Sequence, residues 1–309
     1  MIDFRYHIVS IVAVFLALGI GLLMGSGVLG DPLLDNIRDR ARDVQSFNDR
    51  LKDDVGELEH ELSVARDFTV AVEPMLVDGR LAGEDVVIVD VAAGDVPLDE
   101  LLDTLEDGAG ATVSSILTLT DDFELGSQED VEDLASITGS DGEPEELRVE
   151  AARKIGTELG ALADVRRRSP ARADVIDDLE DAGFLDVAAE EEAVPVPAGA
   201  SLVVAASGSS DATWRIDEVV TGLAHAAATA PGMGPVVVVE TTDSAWGVAG
   251  SVRGDGDLGN VIGTVDNVDR LTGRIALVMA LGSPPGEEPG HYGEKSLASS
   301  LIPEPSFRD

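Results

Sequence analysis

Chemistry on this chain has few side chains to draw on. Cysteine is absent, which removes disulfides, thiol catalysis and thiolate metal sites. The four histidines, His7, His60, His225 and His291, are far apart in sequence. Only five methionines could supply thioethers. Imidazole and thioether suit soft transition metals, but Met24 and His7 lie 17 residues apart, and no metal-ligand cluster is visible in the spacing. Gly254-Asp255-Gly256-Asp257-Leu258-Gly259 matches the G-x-G-x-x-G pattern that can cradle a pyrophosphate. No clear strand precedes it, and its two aspartates would face phosphate with like charge, so it reads as a surface turn. The loop from Ala205 to Asp211 follows a strand and opens a helix, where α/β sheets place ligands. Ser210 or Asp211 there is more simply a helix N-cap. Thr241-Thr242-Asp243-Ser244 has a similar setting. Arg166-Arg167-Arg168 is a basic spot, either a charge run at a helix C-terminus or a patch for a partner. The G-x-S-x-G elbow, the Walker loop and H-E-x-x-H are all missing, so no catalytic residue, cofactor or metal ligand is assigned.

The elements that position these groups begin with composition. The chain has 309 residues with 60 Asp+Glu against 21 Lys+Arg, a formal charge of -39. Such a chain repels phosphate backbones and is not expected to bind nucleic acid. Only Lys52, Lys154 and Lys295 are lysines. Hydrophobic residues reach 44%, enough for a globular core.

Residues 8–30 contain no charge. Twenty-three helical residues reach about 35 Å, enough to cross a hydrocarbon core of about 30 Å, and the run is longer than the apolar part of a signal peptide. Residues 1–30 are therefore expected to be an uncleaved transmembrane anchor in lipid. Ala17, Gly21 and Gly25 are spaced four apart, which allows close packing of two membrane helices. Lys/Arg counting does not fix the orientation, because Arg5 precedes the span while Arg38, Arg40 and Arg42 follow it.

A heptad register holds next, over 31–74. Its a positions are Leu34, Ala41, Asn48, Val55, Leu62 and Thr69; its d positions are Ile37, Val44, Leu51, Leu58, Ala65 and Val72. This predicts a long coiled-coil helix, and Asn48 at an a position favours a parallel two-stranded pair. The expected dimer seam comprises Leu34, Ile37, Ala41, Val44, Asn48, Leu51, Val55, Leu58, Leu62 and Ala65. Asp31-Pro32 is expected to separate span from coil, and Pro74 to end it. The other reading is a long helix packed on its own domain, which the g-position residues Phe47 and Phe68 would suit.

Beyond Gly83 the pattern changes to short β-branched runs. Strands are expected at 85–91, 112–119, 202–206 and 236–240. Helices are expected at 98–107, 131–137, 145–165, 171–182, 213–229 and 274–281. Apolar strands alternating with helices predict an α/β domain over 84–282, with a mostly parallel, helix-covered sheet. The Pro/Gly-rich tail at 283–309 either lies on this domain or is mobile.

The opening MIDFRYHIVSIVAVFLALGIGLLMGS, the segment Thr264-Val265-Asp266-Asn267-Val268-Asp269 with Gly273-Arg274, and Gly290-His291-Tyr292-Gly293 resemble the actinobacterial MctB-type copper transporter family. The layout of that family covers nearly the whole chain. The resemblance implies an envelope protein of copper homeostasis, described as an efflux or pore component, with copper as its cargo. It supplies no ligand set. It also implies a cell-membrane protein whose C-terminal domain is extracytoplasmic, with an outer envelope layer as a further location. Two other classes stay open: a non-enzymatic scaffold or regulator that binds an envelope protein through its coil and head, and a membrane-tethered enzyme. The expected partners are lipid, a second copy of the chain and a protein of the envelope.

Overall fold

The computed structural model describes residues 4–28, 30–91, 96–164, 174–189, 196–208, 215–284 and 287–304. The chain divides into two units, Met1–Asp67 and Phe68–Asp309.

The first unit is helical. α1 (Phe4–Val28) includes a 21-residue span, Arg5–Gly25, with mean hydropathy 2.6 and no buried side chain. Among the described residues it is the one helix long and apolar enough to cross a membrane. Its apolar residues surround the helix, as expected where lipid and not protein is the solvent. α2 (Gly30–Val77) runs for 48 residues and continues into the second unit. Pro32 lies in its first turn, where a missing N–H costs nothing. The predicted stop at Pro74 is not observed. That proline lies inside α2, which ends one turn later at Val77, and the Pro74 carbonyl accepts from Asp78 N at 3.0 Å. A ring so close to the helix end removes one backbone bond, and burial of Val77 holds the final turn in place.

The second unit is a three-layer α/β fold. It contains β1 (Asp85–Asp90), α3 (Leu98–Asp103), β2 (Thr112–Leu119), α4 (Gln128–Thr138), α5 (Pro144–Leu162), α6 (Asp174–Asp181), β3 (Leu185–Ala189) and β4 (Ser201–Ala205). It continues with α7 (Ile216–Ala228), β5 (Val236–Val239), α8 (Val248–Gly254), α9 (Gly256–Gly259), β6 (Gly263–Val265), α10 (Leu271–Leu281) and β7 (His291–Tyr292). The seven strands lie in the order β3-β2-β1-β4-β5-β6-β7. Every pairing is parallel except that of β3 with β2.

The strand side chains alternate between two cores. Val87, Val89, Leu202, Val204, Val236 and Val238 pack with residues of α4, α5, α6 and α7. Val86, Ile88, Val203, Ala205, Val237 and Val239 pack with α3, α10 and Val77 at the end of α2. A parallel strand covered on both faces needs an unbroken apolar run, which is why DVVIVD, SLVVA and VVVV were legible as strands. α4 starts on a Ser127/Asp130 capping box, and α5 carries Pro144 at its first turn. The helix expected at 98–107 is α3 followed by a π-helical turn, Thr104–Gly108.

Five of these elements went unpredicted: the strands β3, β6 and β7 and the short helices α8 and α9. The C-terminal tail thus supplies a strand, with β7 extending the sheet beside β6.

Candidate functional site

Open parallel sheets present ligand-binding groups at the carboxyl ends of their strands. Here that rim carries a row of buried polar residues: Asp90 on β1, Ser207 after β4, Glu240 after β5, and Thr264, Asp266 and Asn267 on and after β6. The Ser207 and Thr241 hydroxyls meet at 2.5 Å.

Two carboxylates organise the β5–β7 end of the rim. Glu240 is fully buried. It accepts from Val248 N at 2.6 Å and Ala249 N at 3.2 Å, the first amides of α8, and from Ser244 Oγ at 3.4 Å. Lys295 Nζ approaches it at 3.5 Å and donates to the Ser244 carbonyl at 3.1 Å. Asp266, equally buried, pairs with Arg253 at 2.5 Å. It also accepts from Glu294 N at 2.7 Å and Lys295 N at 3.1 Å. Arg253 spreads its fork across three strands of chain. Nε donates to Thr264 Oγ1 at 2.7 Å, Nη2 to the Tyr292 carbonyl at 2.7 Å, and Nη1 to the Ser296 carbonyl at 3.3 Å. Thr264 Oγ1 in turn lies 3.1 Å from His291 Nδ1. Burial, and then the Arg253 charge, push the His291 pKa below its usual value.

The arrangement is a clasp. Tail residues 290–296 are held to β6 by a fully desolvated ion pair whose remaining donors and acceptors are engaged, the condition under which a buried pair is tolerated. Gly293 has φ +133°, and a Cβ there would run into the Asp266 carboxylate, so glycine is required. At Gly290 a Cβ would strike the Tyr292 ring. Gly273 lets α10 approach the Asn267 backbone. Arg270 and Glu294 add an exposed bidentate pair at 2.8 and 2.9 Å.

The other sequence candidates stay apart from this cluster or serve local structure. In the G-x-G-x-x-G segment, the Asp255 side chain accepts from Asp257 N and Leu258 N, so it occupies the amides that a phosphate would need. Thr242 donates through its amide and hydroxyl to Asp269 at 2.6 and 3.0 Å. Ser210, Asp211 and Arg166-Arg167-Arg168 lie outside the described residues. His7 and His60 are exposed on α1 and α2. His225 lines a groove between α5 and α7 with Arg153 and Thr221, and its buried Nδ1 has no hydrogen-bond partner among the described residues. No three His, Cys, Asp or Glu come together as a metal-binding group among the described residues.

On α2 the seam residues Ile37, Val44, Leu51, Val55, Leu58 and Leu62 are 48% to 63% exposed. Ala41, Asn48 and Ala65 are exposed too, while the side chain of Leu34 lies outside the described residues. Ala17, Gly21 and Gly25 form an open stripe, with nothing within 4 Å of a Cβ built on either glycine. The register changes its surroundings at the last heptad. Thr69 and Val72 are partly buried, as is Leu76, and Val77 is in the head core. Val72 is thus less exposed than Val44, Val55, Val64 and Val70 elsewhere on α2, which are at least 48% exposed.

The family model described as copper transport outer membrane protein, MctB, matches residues 1–303. This chain belongs to the MctB family. The relatives named copper transporter MctB from Mycobacterium bovis and Mycobacterium tuberculosis are 31% identical over 317 residues, covering 97% of this chain and 99% of theirs. The Mycobacterium leprae protein of the same name is 30% identical over 319 residues, with the same coverage. The two C-terminal segments that carry the MctB resemblance, Thr264 to Asp269 and Gly290 to Gly293, are the two sides of the clasp. Sequence reasoning missed Arg253, Glu240 and Lys295. For Lys295 a signal existed, because it is one of only three lysines.

Proposed function

We propose that the chain is a single-pass, membrane-anchored protein of copper homeostasis that works as a parallel dimer and presents its α/β head outside the cytoplasm. Family membership over residues 1–303 carries the copper role, and the Arg5–Gly25 span carries the anchoring. The dimer is supported by the exposed a/d stripe from Ile37 to Ala65 with Asn48 at an a position, where only a parallel mate in matched register lets the two amides bond. The proposed seam ends at Ala65, a reading supported by the partial burial of Thr69 and Val72, the next positions of the register.

In this reading the chain acts on copper without a catalytic step and through other components of the envelope, not as a conduit. One span per chain gives a dimer two membrane helices. The head sheet has helices on both faces and strands of two to eight residues, whereas a lipid-facing barrel strand needs about ten. Glu240 and Asp266, the best placed acids, are already satisfied by amides, Arg253 and Lys295. The second reading, a scaffold for envelope machinery, is favoured by that same saturation.

Two measurements test the proposal. A reporter fused after Asp309 should be active only if it is exported; cytoplasmic activity overturns the topology. The full chain purified in detergent should hold no copper ion tightly in equilibrium dialysis, yet cells lacking it should lose copper tolerance. Stoichiometric tight binding overturns the indirect role, and unchanged tolerance favours the scaffold reading.

A further inference from the structure

The clasp contains a hydrogen-bond relay that runs from Arg253 through Thr264 to His291. Arg253 Nε can only donate, so Thr264 Oγ1 accepts from it at 2.7 Å. Oγ1 lies 3.1 Å from His291 Nδ1, while His291 Nε2 faces Gly259 of α9. With the imidazole neutral and its proton on Nε2, the Thr264 hydroxyl donates to Nδ1 and every partner in the relay is matched. Thr264 has no exposure, so a proton on Nδ1 would make Oγ1 accept twice and take from the buried hydroxyl hydrogen its acceptor on His291. It would also set a second cation next to Arg253.

The backbone of Gly259 favours the charged ring but is outweighed by burial and Arg253, and the charged groups around the ring offer no further compensation. On β6, the Asp266 carboxylate is shared among Arg253 and the amides of Glu294 and Lys295. On α9, Asp255 is turned into the amides of its own helix, and Asp257 is exposed. On the tail, Glu294 pairs with Arg270, Lys295 reaches toward Glu240, and Tyr292 is an uncharged phenol whose pKa is raised by burial.

We infer that the Arg253–Thr264–His291 relay is an acid-sensitive latch, and that protonation of His291 releases β7 and the tail from the edge of β6. Release has three local consequences. The edge of Gly263–Val265 loses its only partner on that side, since Thr264 N bonds the Gly290 carbonyl and Asp266 N the Tyr292 carbonyl. Asp266 loses the Glu294 and Lys295 amides. Lys295 leaves Glu240, which opens the rim at β5. The sign follows from linkage. A histidine harder to protonate when folded than when released favours the released form as pH falls below the free value of 6.5. The latch therefore holds at neutral pH and weakens through the range below it.

Hydrogen exchange on the full chain in detergent tests this, following peptides that cover 287–304 and correcting for the intrinsic pH dependence of exchange. Between pH 8 and pH 5 the opening equilibrium of these peptides should rise by up to about thirtyfold, the ceiling that one histidine of free pKa 6.5 allows. Peptides from α5 and α7 should not follow. His291→Asn keeps an oxygen acceptor for the Thr264 hydroxyl and cannot titrate, so its opening should be flat across that range. Wild-type opening that is independent of pH overturns the proposal, as does an unchanged slope in His291→Asn. Should that variant fail to fold, imidazole NMR of the wild type decides. The expected result is an unprotonated Nδ1 at pH 8 and a titration midpoint coincident with tail opening; a protonated Nδ1, or a midpoint far from the opening, overturns it.

Discussion

Replacing Arg253 with methionine should be among the most damaging single changes in the head. Methionine fills much of the same volume, so little of the cost comes from a cavity. What is lost is the ion pair with Asp266, where the two side chains are 1% and 0% exposed, together with donors to Thr264 and to the Tyr292 and Ser296 carbonyls. Asp266 keeps two amide donors but loses the guanidinium that balances its charge. Breaking a buried pair from one side costs about 3–5 kcal/mol. For a unit running from Phe68 to Asp309, each kcal/mol moves Tm by about 2–4 °C, so the expected fall is about 6–20 °C. Near-ultraviolet circular dichroism of the full chain in detergent reads this directly. Arg253→Met with Asp266→Asn should recover part of the loss, because the asparagine oxygen still accepts from the Glu294 and Lys295 amides and no buried charge remains. A fall below about 1 kcal/mol in Arg253→Met, or a double variant whose loss equals the sum of the singles, would refute the claim that the pair is a desolvated, coupled unit.

The remaining expectations concern the stalk and a second carboxylate. Because the chain lacks cysteine, single cysteines at Leu51, Leu58, Ala65 and Val72 can be oxidised cleanly; the first three should cross-link two chains and Val72 should not. Cross-linking as efficient at Val72 as at Leu58 would sink the seam boundary, while none at any position in a monomeric chain would sink the dimer itself. Leu58→Asp should make the detergent-solubilised chain monomeric in sedimentation, since it puts two like charges into the seam, whereas Asn48→Val should raise thermal stability and loosen the preference for two strands. Glu158 accepts from Val175 N at 3.0 Å and Ile176 N at 2.8 Å at the start of α6, yet burial outweighs those amides and raises its pKa above 4.5. The folded state then holds its proton more tightly than the unfolded one, so this residue's contribution is greatest at low pH and is lost as pH rises through its folded value. Glu158→Gln keeps an acceptor for both amides and should remove that loss; urea titrations at pH 4.5 and pH 8 should show the variant gaining on the parent at the higher pH, and a parent that gains instead would contradict the sign.

What could be read from sequence followed from how many residues an element spends on one pattern. β1, β4 and β5 each carry an unbroken run of four apolar residues because helices cover both of their faces, so even such short segments announce themselves. β6 and β7 have three residues and two, too few for any periodicity to show, and β3 is an antiparallel edge with one buried residue in five. The clasp was hidden for a different reason. Arg253, Asp266 and Lys295 are brought together by a sheet edge that was itself illegible, and no spacing rule links residues 13 and 29 positions apart. The family segments hinted at the place, since Gly290 and Gly293 are glycines for steric reasons visible only once Tyr292 and Asp266 are in position.

The heptad shows the limit most sharply. Val44 and Val72 are d positions and Val55 an a position of one unbroken register, and nothing in the pattern sets Val72 apart. Periodicity reports that a face of a helix is apolar; it does not report what covers that face. Along α2 the cover changes. Val44 and Val55 are 60% and 48% exposed, so the chain's own described residues leave that part of the face open. Val72 is partly buried, four residues before Leu76 packs on the head core and five before Val77 joins it. Pro74, which looked like the end of the coil, falls within this changed region, and the helix passes through it because the head fixes the last turn. If this stripe serves a second chain up to Ala65, as proposed, it meets different surroundings from Thr69 onward, where its residues are partly buried. The proposed two-stranded seam is therefore expected to end between Ala65 and Thr69, a boundary that the repeat itself does not mark.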